Sequence, residues 1–437
     1  MVDPQEFVRE VGTLLGWYYL LTAAMNVFAG VRVGRRGGYV RAAVWLIIAG
    51  GFGVLGKMAL SGSPLAMPEP WKNACDAAFG PVSFTAGTFV ALTVLFLGRR
   101  FFVIPAVAWI GLNVSLLFMG MSMTDPEFAA IVTKPDNVPI VAMVYLLALF
   151  TWSATAQSVE NDRRMAAGQE PVEKDYGEKV LVWPDVVYIE LIGIVIATVV
   201  LVVWSLVLQA PLEQPANPVV TPNPSKAPWY FLGLQEMLVF FDASIAGVMI
   251  PILVIVGLAA IPYLDFNKLG TGYYTIKQRP FAYLVFQFGF LQLWILLILI
   301  GTLMRGPNWN FFGLYEVQDT HKVLALNNVK LSEYFWITLL GRGVPQVPVG
   351  AGTFTQLGAI LWREIAGLAA LSVYFVLLPL VLSRTAFRGL LRQMGYGRYT
   401  LMVLLLLMML MLPLKMILRW TLNLSYILSI PEYYLNF

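Results

Sequence analysis

Few residues in this 437-residue chain can do chemistry, and their scarcity limits the chemistry open to it. There is one cysteine, Cys75, and one histidine, His321. A disulfide needs two cysteines, covalent c-type haem needs Cys-x-x-Cys-His, and a thiolate iron–sulfur cluster normally needs four cysteines. One histidine cannot supply both axial ligands of a b haem, so no haem or iron–sulfur ligands and no metal site are expected. His321, between Asp319 and Lys322, is read as a proton relay or a ligand to a partner's metal, or else as a solvated loop residue. A second pattern is more suggestive. Prolines at 211, 215, 218, 222, 224 and 228 deny the chain continuous helix and remove backbone donors, so Gln209 to Tyr230 should form a stiff, irregular lid. It runs into Pro228, Trp229, Tyr230 and Phe231, which offer either a flat apolar slot for a planar ring or an interfacial aromatic belt.

Helices in lipid must position that slot. The chain is 59% hydrophobic and 12% charged, with a mean hydropathy of +0.73, outside the range of soluble globular domains. Apolar runs long enough to cross a hydrocarbon core recur near residues 8–31, 39–60, 81–98, 101–122, 138–158, 185–209, 243–264, 281–304, 362–383 and 399–421. The fold class is therefore all-α: a polytopic membrane protein with about ten transmembrane helices. Every second connection is basic: Arg32, Arg35, Arg36 and Arg41; Arg99 and Arg100; Arg163, Arg164, Lys174 and Lys179; Lys268, Lys277 and Arg279; Arg384, Arg388, Arg392 and Arg398. The positive-inside rule then puts both termini on the outer (p) side. Lys415 and Arg419 break the pattern near the outer end of the last run, where long side chains are expected to snorkel to the interface. The net charge of +4 is explained by this topology and implies no nucleic-acid partner.

The organisation expected is a five-helix membrane module of unassigned role at 1–158 and a cytoplasmic linker at 159–180. A three-helix module at 181–310, a long aromatic outer loop at 311–360 and two C-terminal transmembrane helices at 361–437 follow. Cys75 is expected to be inert, Glu190 to snorkel near the cytoplasmic face or else to mark a proton or ligand path, and the methionines from Met402 to Met416 to face lipid or serve interhelical packing. No internal repeat relates the first five runs to the later ones, which argues against a transporter.

From Trp183 to about Trp309 the chain resembles the carboxy-terminal half of cytochrome b, the subunit IV of chloroplast-type cytochrome bc complexes. The residues carrying the resemblance are Trp183, Pro184 and Asp185; Pro215, Ala216, Asn217 and Pro218; Thr221 and Pro222; and Trp229 and Tyr230. A second run comprises Pro262, Tyr263, Leu264, Asp265, Asn267 and Lys268, then Arg279 and Pro280. The resemblance implies a quinol-oxidation site at the outer face. The family carries Pro-Glu before Trp-Tyr, whereas this chain has Ala227 and Pro228, so the carboxylate that would take a quinol proton is missing. Glu236 is the nearest replacement, on a short helix expected from Trp229 to Phe240, and Asp242 is next; Tyr230 could hydrogen-bond but is a poor base at neutral pH.

The reading is a haem-free subunit of a quinol:electron-acceptor oxidoreductase, not catalytic alone, in an energy-transducing membrane such as the bacterial cytoplasmic membrane. The resemblance implies quinone as cofactor. It implies as partners a b-type cytochrome subunit carrying the haems, a Rieske-type iron–sulfur protein, cytochrome c or a similar acceptor, and lipid. The alternative is a non-catalytic scaffold whose quinone site has decayed.

Overall fold

The computed structural model describes residues 4–175, 177, 180–207, 215–267, 272–323, 327–348 and 350–437. The chain is 73% helical. In chain order its main helices are α1 (Pro4–Gly34), α2 (Tyr39–Leu60), α3 (Glu69–Ala78), α4 (Pro81–Leu97), α5 (Pro105–Ser122), α6 (Val138–Ala166) and α7 (Val182–Val207). They continue with α8 (Trp229–Met237), α9 (Ile245–Leu264), α10 (Pro280–Met304), α11 (Thr353–Arg363), α12 (Ile365–Arg384) and α13 (Tyr396–Leu422). Proline opens α4, α5 and α10, where its missing N–H costs no hydrogen bond. Among the described residues nine helices are long and apolar enough to cross a membrane, in agreement with an all-α integral membrane protein. The tenth expected run, 81–98, is the shorter α4, preceded at a bend of 86° by α3.

Contacts divide the chain into two units that interleave in sequence: Met1–Met67, Val94–Ser225 and Thr271–Tyr283 in one, Pro68–Thr93, Lys226–Gly270 and Leu284–Phe437 in the other. In the first, α1 and α2 meet through small residues. A methyl group on Gly16 would stand 2.4 Å from Leu60 Cγ and 3.3 Å from the Gly56 carbonyl oxygen, so only glycine permits that approach. Asn26, buried on α1, accepts a 2.8 Å bond from Trp109 Nε1 and donates at 2.6 Å to Asn113 Oδ1, both on α5. Helix α6 runs on to Ala166, so the start of the expected linker is helix. Its end is pinned: Asn161 Nδ2 donates to Glu173 Oε2 (2.7 Å) and the Tyr274 carbonyl (2.9 Å), while Asp162 accepts from Thr275 Oγ1 (2.6 Å) and the Lys277 N–H (3.1 Å). No residue of α7 is buried within this chain, so lipid or another subunit must cover it.

In the second unit the core forms where α10 and α13 meet the segment after α8. Phe240, Phe241, Leu293, Leu297, Met411 and Met416 pack there, and the methionines serve packing as expected. The stretch after α13 folds back over the helix end: β1 (Val329–Lys330) pairs in parallel with β2 (Leu424–Tyr426), and β3 (Ser429–Ile430) antiparallel with β4 (Leu435–Asn436). This return corrects the expected snorkelling. Lys415 is fully buried and donates to the Ser425 carbonyl oxygen, and Arg419 Nη2 donates to Asn328 Oδ1 at 2.6 Å. The Ser425 carbonyl of the returning segment and the side chain of Asn328 supply the polar partners that the membrane interface was expected to supply.

Candidate functional site

The candidate site is built on α8. Pro228 stands immediately before the helix in extended conformation, and the Ala227 N–H donates to Gln235 Oε1 at 2.7 Å, fixing the entry of the chain. One face of α8 lies against α10. A Cβ on Gly301 would fall 2.7 Å from Leu232 Cδ2, and one on Gly233 3.3 Å from Ile298, so small residues set the spacing of the two helices. Leu232, Gly233, Glu236 and Met237 are buried on that face. The first turn points elsewhere: Trp229, Tyr230 and Phe231 are 41%, 50% and 52% exposed. Their rings form a step, with centroids 5.6 Å apart from Trp229 to Tyr230 and 4.7 Å from Tyr230 to Phe231.

Glu236 shares the helix with this step but not the faces of Tyr230 and Phe231. Six residues advance an α-helix by about 600°, which leaves Glu236 about 120° around from Tyr230. It is 1% exposed, and both carboxylate oxygens are held by Arg305, Nη2 to Oε1 at 2.6 Å and Nε to Oε2 at 2.9 Å. The Trp309 side chain hydrogen-bonds the same carboxylate, and Lys226 adds a second positive charge nearby. Burial pushes the Glu236 carboxyl above the usual carboxylate range, outweighing the downward pull of Arg305.

A closed loop presents Arg305 to the helix. The Phe312 N–H donates to the Met304 carbonyl at 2.9 Å and the Gly306 N–H to the Asn310 carbonyl at 3.0 Å. Arg305 Nη1 donates to the Trp309 carbonyl at 2.8 Å. Gly306 is needed because a Cβ there would stand 2.6 Å from the Phe312 ring. Asn308 and Trp309 both have φ of +57°, a left-handed conformation that costs a non-glycine residue about 1–2 kcal/mol. Asn308 Nδ2 offsets part of this by donating to the Thr320 carbonyl at 2.8 Å.

Asp242 lies past the end of α8, just before α9. Its carboxylate accepts from the Ser244 N–H (3.2 Å), Ser244 Oγ (3.1 Å) and Asn436 Nδ2 (3.2 Å). Burial raises its pKa, but these hydrogen bonds together hold it below the usual range, as befits a residue organising a turn. His321 is exposed, and its backbone N–H donates to Asp319 Oδ1 at 2.8 Å. Part of the expected lid, 208–214, lies outside the described residues, as do Lys179 and Lys268 of the basic connections; residues 215–228 are non-helical, as the prolines imply. Expected to reach Phe240, α8 ends at Met237.

Sequence reasoning thus located the aromatic step and the carboxylate but missed Arg305, Trp309 and Lys226. A signal was present. Arg305 and Lys226 lie outside the five basic connections, and a cation off the topological pattern at the end of an apolar run calls for a buried acid.

No curated protein and no solved structure matches the chain. A family model does match, over residues 215–317. The match begins at Pro215, after α7, and passes Trp309 to end at Val317, so it takes in the aromatic step, Glu236 and the whole Arg305 loop. This segment, under a quarter of the chain, is what resembles the family described as cytochrome b(C-terminal)/b6/petD.

Proposed function

We propose that the chain is a haem-free membrane subunit of a cytochrome bc-type electron-transfer complex and contributes the outer-face quinol-oxidation site. The observation that carries this reading is the coincidence, within one family-matched segment, of an exposed aromatic step with a buried, base-shifted carboxylate. A b haem does not fit the chain's own residues: the single histidine is His321, in an exposed loop, and one imidazole cannot provide two axial ligands. Haem in this reading belongs to a b-type cytochrome partner. A Rieske-type protein and a cytochrome c or similar acceptor complete the complex, in a membrane such as the bacterial cytoplasmic membrane.

In this mechanism the quinol ring lies on Trp229 and Phe231, whose apolar faces exclude water, and Pro228 fixes the start of the step. Tyr230 hydrogen-bonds a quinol oxygen. Glu236 receives the proton through water when Arg305 yields one of its two oxygens, because direct contact is denied by the 120° or so between the faces. A raised pKa suits that role: it makes the carboxylate a stronger base than an exposed glutamate. Asp242, held below the usual range, is the weaker acceptor.

The test is pre-steady-state reduction of the partner haems by quinol in the assembled complex. Glu236→Gln should slow quinol oxidation by about 10- to 10,000-fold, the ordinary size of a lost general base. Asp242→Asn should have the smaller effect. The second reading, a scaffold, has its own support in the two-bond Glu236–Arg305 pair, which braces the loop whatever the chemistry. Unchanged oxidation rates in both variants, with assembly weakened in Glu236→Gln, would favour it.

A further inference from the structure

Helix α3 is two-sided and leaves its apolar side exposed. On a helical wheel Glu69, Lys72, Asn73 and Asp76 share one side and Pro70, Trp71, Ala74 and Ala78 the other. On the polar side Asp76 meets protein, its Oδ1 accepting from the Tyr315 N–H at 3.0 Å and standing 2.4 Å from where a Cβ on Gly313 would lie, while Glu69 and Asn73 stay exposed. Lys72 is folded onto Glu69 at 2.9 Å. The apolar side is open, with Trp71 63% exposed. The bend of 86° between α3 and α4 adds the direction. If α4 crosses the bilayer, α3 runs along its surface.

Helix α11, in the same unit, also has an open apolar side. Phe354 is 91% exposed, with Leu357, Leu361 and Trp362 open beside it, while Arg363 is buried and ion-paired. Helical hydrogen bonding breaks at Glu364, and the membrane-spanning α12 begins at the next residue. Each helix therefore leads directly into an apolar helix, and each lies in a connection that the positive-inside reading places on the outer side.

We propose that α3 is an interfacial helix seated in the outer leaflet, with Trp71, Ala74 and Ala78 in the boundary between headgroups and acyl chains, and that α11 lies in the same layer. Lipid is the occupant that the right-angle bend selects. A helix bent flat at the mouth of a span sits at the depth where tryptophan is favoured and apolar area is covered by acyl chains. Through Asp76 and Tyr315 this anchored helix also touches the chain just beyond the Arg305 loop, so the lipid surface becomes one wall of the fold that holds that loop.

The full chain carrying Cys75→Ala, in nanodiscs of phosphatidylcholine and phosphatidylglycerol, tests this with nitroxide labels on Trp71→Cys, Ala74→Cys and Asn73→Cys made singly. Collisions with molecular oxygen should dominate at 71 and 74 and collisions with a water-soluble nickel chelate at 73, so that the oxygen-to-chelate ratio changes several-fold within one helical turn. Chelate collisions dominating at 71 and 74 would overturn the proposal in favour of a solvated helix. Low collision rates with both reagents there would overturn it in favour of a protein partner. Labels on Phe354→Cys and Leu361→Cys apply the same criteria to α11, and thermal melting matched to the Cys75→Ala parent confirms that each labelled chain is folded.

Discussion

Two buried guanidinium–carboxylate groups in the same unit differ in one respect that sets their chemistry. Glu236 and Arg305 form a sealed pair, with side chains 1% and 12% exposed. Arg363 is shared: Nη1 and Nη2 donate to Glu432 at 2.7 and 2.9 Å, Nε donates to Glu364 at 3.0 Å, and Nη2 also reaches the Ser429 carbonyl at 3.2 Å. Glu364 in turn accepts from the Ser429 N–H at 3.1 Å, and Glu432 is 33% exposed. The shared group has a second acid and a path to water, so losing one member leaves the rest paired. The sealed pair has no second acid among the described residues. Burial pushes the Glu236 carboxyl up, whereas the Arg363 guanidinium holds the Glu432 carboxyl down. One type of ion pair thus yields a carboxylate disposed to take a proton in the family-matched segment and one that resists protonation outside it.

The comparison would break first at Arg305. Arg305→Met leaves a buried carboxylate without its cation and should cost about 3–5 kcal/mol, read as a lowered unfolding midpoint in detergent; an effect below that of Glu432→Gln would remove the contrast. Adding Glu236→Leu to Arg305→Met should recover most of the loss, since an apolar pair of similar volume is often neutral where a broken pair is not. Glu432→Gln itself should cost no more than about 1 kcal/mol, because the site is partly hydrated and Arg363 keeps Glu364.

The smallest effect, and the sharpest, is in the sign of the pH dependence. Glu432 has its folded pKa depressed, so its contribution is present above the ordinary glutamate value of about 4.3 and is lost as pH falls through the folded value. Glu236 has its folded pKa raised, so its contribution is present below that ordinary value and is lost as pH rises through the folded one. The melting difference between wild type and Glu432→Gln should therefore grow with rising pH. The difference between wild type and Glu236→Gln should shrink. Parallel slopes would mean that Arg305 outweighs burial after all.

Much of the membrane architecture was legible because lipid imposes a simple rule: about 20 apolar residues in a row, with basic residues on alternate connections. That rule located the nine apolar helices and α4, and composition alone barred bis-histidine haem ligation. The rule does not extend to residues that depart from it. Snorkelling is the expectation for Lys415 and Arg419 because the sequence does not reveal that the segment after α13 returns to offer Lys415 the Ser425 carbonyl, or that Asn328, 91 residues earlier, offers Arg419 an amide oxygen. Glu236 was read as a candidate base from its distance to Tyr230 along the chain, whereas its neighbours come from a loop nearly seventy residues later.

What the sequence determined by itself is what depends on local composition: the solvent, the helices, the proline-broken segment, the aromatic step and the presence of one histidine. Only the tertiary structure decided which face of α8 Glu236 occupies, that Arg305 holds both its oxygens, and that α3 turns its apolar side outward. These depend on contacts between segments far apart in the chain, and the energy of a buried charge is set by the partner that arrives, which no local pattern encodes.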